Sequence, residues 1–157
     1  MNIRIIAPLA AAAIVTALYF ASGHIVSADP ASKDEAMAMV QKAVAAIKSE
    51  GAEKAYAEIS NLTGQFVQGD LYIAVVGFDG TLLAYGADTD EHVGDNVMDV
   101  KDSDGKEVVK ERIELAKTEQ SFWQSYKFIN PVTKKVEPKE MYCERLEETV
   151  VCGGVYQ

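Results

Sequence analysis

The sequence predicts one α+β domain organised on an antiparallel sheet. Three observations carry this. Helical patterning is confined to a few short stretches, an Asp79-Gly80 turn separates two β-rich runs, and the C-terminal part reads as successive strands. No repeat, low-complexity tract or internal linker divides the chain.

The first 28 residues read as a secretory signal. Arg4 is the only charge before Asp29, an apolar core runs from Leu9 to Phe20, and Val26-Ser27-Ala28 offers the small residues that a signal peptidase cuts. The competing reading is an uncleaved anchor over residues 5–23, close to the ~20 residues that span a bilayer. The short, Ala-rich core favours cleavage after Ala28. The expected organisation is a signal over residues 1–28 and one domain over 29–157, periplasmic or secreted, with inner-membrane anchoring as the alternative. The chain carries a net charge of −9, and the first 28 residues hold one arginine and no acid, so the remainder is more acidic still. That composition argues against nucleic acid as a partner.

Ser32-Lys33-Asp34-Glu35 has the form of a capping box. Met37, Val40, Val44 and Ile47 then recur at helical spacing, which predicts an amphipathic helix ending near Gly51. A second, shorter helix is expected from Ala52 to Asn61, with Ala55, Tyr56 and Ile59 on its inner side. The run LYIAVVGFDGTLLAYG follows. If Asp79-Gly80 is a two-residue loop, Val76 opposes Leu83 and Ala74 opposes Tyr85. Tyr72, Ala74, Val76, Leu83 and Tyr85 then share one face, and Leu71, Ile73, Val75, Leu82 and Ala84 the other. Both faces are apolar, so both should be covered.

An acidic, weakly periodic crossover leads to a helix expected from Gly105 to Lys117, with Val109, Ile113 and Ala116 inward. A strand is expected from Phe122 to Ile129, a turn at Asn130-Pro131, and two last strands over Val136–Arg145 and Thr149–Tyr156. With Glu147-Glu148 as the final loop, Leu146 opposes Thr149, Arg145 opposes Val150, and Cys143 opposes Cys152 in a non-hydrogen-bonded pair. A cross-strand disulfide is therefore expected; in an exported chain two cysteines are a bridge before they are a redox or metal site.

The same count places Lys139, Met141, Cys143, Val150, Cys152 and Tyr156 on one face. A lysine there must snorkel to water, pair with an acid, or meet an anion, because an unpaired buried ammonium is costly. In so acidic a chain an internal ion pair is the simplest of the three. Tyr72, Tyr85, Trp123, Tyr126 and Tyr142 all fall in strands, where they supply either core packing or the rings of a small-ligand pocket. Strand alternation sets Trp123 and Tyr126 on opposite faces.

Familiar catalytic patterns are missing. His92 is the one histidine outside the leader, and there is no CxxC, P-loop or GxGxxG, so neither an enzyme nor a cofactor is expected. Asp102 and Asp104 before Gly105 imitate a calcium loop, but Val100 occupies its first ligand position, so no metal site is expected either. Asn61-Leu62-Thr63 matches a glycosylation sequon, which matters only in a secretory pathway that reads it.

Successive blocks, GAEKAYAEISN, GDLYIAVVGFDGTLLAYG, HVGDNVMDVKDSDGKEVVKE, YKFINPVTKKVEPKEMY and CGGVY, resemble the single Cache domain. This is the PAS-like extracytoplasmic sensor module of bacterial chemoreceptors and kinases. The resemblance covers about Lys33 to Tyr156. It implies a long N-terminal helix against a five-stranded antiparallel sheet, with small ligands, often carboxylates, held between the sheet and the crossover. Carried over by position, it implies Tyr72, Tyr126, Lys139 and Tyr142 as pocket residues, with Lys139 meeting the carboxylate and Trp123 closing the site. Tyr85 stands where relatives commonly show His, and the cysteines lie outside the general pattern. The chain stops at Gln157, where such modules normally continue into a transmembrane helix and an output domain. The expectation is therefore a sensory protein for a small organic anion, acting through a membrane-bound signalling or transport partner. The alternative is an envelope interaction module whose pocket has closed.

Overall fold

The computed structural model describes residues 30–87 and 92–157. The expected signal, and part of the acidic crossover, lie outside these described residues. Among the described residues no helix is long and apolar enough to cross a membrane.

Helix α1, Lys33–Glu50, begins at the expected capping box: Ser32 Oγ accepts from the Glu35 amide, and the Glu35 carboxylate accepts from the Ser32 amide. Gly51 ends it and leads directly into α2, Ala52–Ile59. The strands are β1 (Val67–Gln68), β2 (Leu71–Gly77), β3 (Leu82–Tyr85), β4 (Ser121–Ile129), β5 (Val136–Leu146) and β6 (Thr149–Tyr156), with α3 (Val108–Thr118) between β3 and β4. The five principal strands lie in the order β3-β2-β6-β5-β4, all antiparallel; the two-residue β1 shares the outer edge of β2 with β3.

Two apolar layers sandwich the sheet. On one face α1 and α2 cover Leu71, Ile73, Val75, Ala84 and Val151. On the other, α3 and the crossover cover Ala74, Val76, Leu82, Met141 and the cysteines. Every residue of β2 is buried, as its uninterrupted apolar run requires. Gly153 lets the helical layer close down: a β-carbon there would stand 3.1 Å from Val40 Cγ2 and 3.0 Å from Ile73 Cδ1.

The final hairpin has the expected register, with Cys143 opposite Cys152 and a disulfide joining them across a Cα–Cα distance of 4.2 Å. The first hairpin differs from expectation. Ala74 does oppose Tyr85, but Val76 opposes Leu82 instead of Leu83, because a bulge falls between Val75 and Val76. Gly77 and Thr81 close the loop, so three residues turn the chain where two were expected. The slip exchanges the two leucines. Leu82 packs in the α3 layer and Leu83 against the α1 layer.

Candidate functional site

The site is built by one row across three strands. Tyr126 on β4, Lys139 on β5 and Tyr156 on β6 are consecutive cross-strand partners, so their side chains rise from the same face. Beside the Tyr126 end of this row, between the sheet and α3, lies a cavity of about 90 Å³. Tyr72, Ala74 and Val76 of β2, Leu82 and Tyr85 of β3, Val97 and Val100 of the crossover, and Val108, Val109 and Arg112 of α3 line it with Tyr126, Phe128 and Met141. The walls are aliphatic and aromatic. Tyr72 meets Tyr85 edge to face at 5.5 Å, and Tyr126 meets Phe128 at 5.8 Å.

Lys139 is 1% exposed at the floor of this layer. Its ammonium lies 3.9 Å from the Tyr72 ring centre and 4.5 Å from that of Tyr156, and donates to Tyr156 Oη at 3.2 Å. Tyr156 Oη in turn donates to the Ile129 carbonyl at 2.9 Å. Gly154 makes room for the lysine stem, since a β-carbon there would fall 2.9 Å from Lys139 Cε. Burial pushes Lys139 well below the ordinary lysine range; the Arg112 charge adds to this, and Asp70 opposes it. Burial likewise pushes Tyr72 well above the usual phenol value, with Tyr126 raised by the same cause.

Arg112 supplies a second buried cation, 4% exposed. Its Nε donates to Gln124 Oε1 at 3.0 Å, and its guanidinium lies over Tyr126 at 5.6 Å. Gln124 is held in that orientation because its amide nitrogen donates to the Val108 carbonyl and to Glu111. Among the described residues, no aspartate or glutamate forms an ion pair with Arg112 or Lys139. The internal ion pair expected as the simplest role for Lys139 is therefore not formed within them.

Of the expected pocket residues, Tyr72, Tyr126 and Lys139 come together on this face. Trp123 and Tyr142 do not. They are partners on β4 and β5, one residue out of phase with Lys139, and so project to the opposite face. There they pack against each other at 5.2 Å in the α1 layer, with the Lys33 ammonium 4.9 Å from the Trp123 ring. Tyr142 Oη donates to Glu144. Sequence reasoning placed Tyr156 on the face of Lys139, as observed, and missed Arg112 and Gln124. Arg112 was legible: it falls three residues after Val109 and four before Ala116, on the inner stripe of α3.

The family model for single Cache domain 2 matches residues 27–156. The chain belongs to this family. The Cache domain is an extracytoplasmic sensory, ligand-binding fold, and three solved structures share it with this chain. A methyl-accepting chemotaxis protein from Vibrio parahaemolyticus RIMD 2210633 aligns with a TM-score of 0.68 at 21% identity, over 79% of this chain and 87% of that one. A Cache chemosensory domain described for carboxylic acid recognition gives 0.65 at 18% identity, over 78% and 91%. A periplasmic sensor domain of a chemotaxis protein gives 0.62 at 18%, over 78% and 88%. At such identities the likeness is one of fold. No curated protein matches the chain.

Proposed function

We propose that this Cache domain senses a short organic carboxylate outside the cytoplasm. The observation that carries the reading is a pair of buried basic side chains without an ion-paired acid among the described residues: Arg112 lines the small cavity, and Lys139 lies behind its Tyr72 wall, 3.9 Å from that ring's centre. A permanent guanidinium charge, with a buried amine one ring behind it, beside aromatic and aliphatic walls forms a site that an anion completes. The cavity volume, about 90 Å³, is that of several water-sized spheres, which suits a ligand of a few heavy atoms. The carboxylic acid described for one structural neighbour agrees with this chemistry. We read residues 1–28 as an export signal cut after Ala28, and the signal as passing to a membrane-bound partner.

The test is a thermal-shift and calorimetric screen of acetate, propionate, lactate and pyruvate. At least one should raise the melting temperature at millimolar concentration and bind saturably. Lys139→Met and Arg112→Met should each weaken that binding about ten- to hundredfold, the loss of a charge-assisted hydrogen bond. If none of the four salts stabilises the protein, the carboxylate reading fails.

A further inference from the structure

Lys139 differs from Arg112 in one respect that matters to binding: it can shed its charge, and a guanidinium cannot. Among the described residues its buried nitrogen has one hydroxyl as its hydrogen-bond partner and two ring faces beside it. The rings favour the ammonium, but three charged donors meeting one neutral acceptor leave it far less solvated than in water. The charged and titratable groups around it act mostly in one direction. Arg112 faces it from α3, and Tyr72, Tyr126 and Tyr156 face it from β2, β4 and β6 as neutral phenols. Among the described residues Asp70, before β2, is the acid that opposes, and its carboxylate accepts from the Asn130 amide. Glu137, two residues along β5, is taken up by Asn130 and Thr133.

We propose that the anion enters this site together with a proton, which Lys139 takes from solvent as the carboxylate arrives. The ligand stays ionised and the amine becomes an ammonium, so the site contacts a carboxylate but in net stoichiometry binds the acid. Arg112 supplies the permanent charge that draws the anion in, and Lys139 makes affinity depend on pH. This rests on the carboxylate reading above and assigns the two cations different roles within it. The sign follows from linkage. Between the depressed value of Lys139 in the protein alone and its restored value beside an anion, the complex holds more protons than the free protein. In that window affinity falls as pH rises, by up to about tenfold per pH unit.

Calorimetric titration of the full chain with sodium acetate, propionate, lactate and pyruvate, in two buffers of different protonation enthalpy, reads the proton directly. The expected result is proton uptake on binding, with Kd rising as pH rises through the window between the depressed and restored Lys139 values, at pH where these acids remain ionised. Lys139→Met should bind more weakly, with no proton uptake and a flat profile; the wild-type measurement decides the matter even if that variant does not fold. Saturable binding with equal heats in both buffers and a pH-independent Kd would overturn the inference while leaving the carboxylate reading intact. Binding of none of the four salts would remove both.

Discussion

Lys139 lies between two phenol rings with no ion-paired acid among the described residues, so its charged form loses more on leaving water than the fold returns. Lys139→Met should accordingly stabilise the ligand-free domain, by about 1–3 kcal/mol in chemical denaturation near neutral pH. The effect has a definite pH signature. Because its folded-state value is depressed, the unfolded chain binds more protons than the native state above that value, up to about pH 10.4. Wild-type stability relative to Lys139→Met should therefore improve as pH rises through this window and deteriorate as it falls. Gly154 makes a separate prediction. A methyl group there would meet the Glu140 carbonyl at 2.8 Å, Lys139 Cε at 2.9 Å and Met141 Cα at 3.0 Å. Two of these contacts are backbone and cannot swing away, so Gly154→Ala should lower stability by about 1–3 kcal/mol and displace the ammonium, seen as lost anion binding at temperatures where the domain stays folded.

The elements were legible wherever their chemistry is local. Ser32 and Glu35 specify the start of α1, and the alternation from Lys139 to Cys152 about a two-residue loop fixes the register of the last hairpin, disulfide included. The first hairpin escaped because counting across Asp79-Gly80 assumes the tightest loop; one extra residue exchanged Leu82 and Leu83. The site was half legible. Strand parity already placed Lys139 and Met141 together and Tyr142 on the other side, yet Trp123 and Tyr142 were carried into the pocket by family resemblance alone. Arg112 escaped because a charged residue on an inner helical stripe is ordinarily assigned to the solvent side. The positions of Trp123 and Tyr142 carry their own prediction. As part of the α1 layer, Trp123→Leu should cost about 1–2 kcal/mol of stability and leave carboxylate affinity within about twofold of wild type.

On the scale of the whole molecule, the sheet is a partition between the layer of α1 and α2 and the layer of α3 and the crossover. One cross-link, Cys143–Cys152, lies within the α3 layer and closes a short loop, with a sequence separation of 9. Replacing both cysteines by alanine should lower the unfolding free energy by roughly 2–3 kcal/mol, measured by denaturant titration under oxidising conditions.

That bridge also does something a stability measurement would not register. A strand that slides one residue past its neighbour turns every side chain over, and β6 carries two consecutive glycines, Gly153 and Gly154, that offer few side-chain features to resist sliding. The covalent rung at Cys143–Cys152 bolts β5 to β6 a short way along from Lys139 and Tyr156. The Lys139 amine and the Tyr156 phenol are therefore pinned opposite each other, on the same storey of the hairpin.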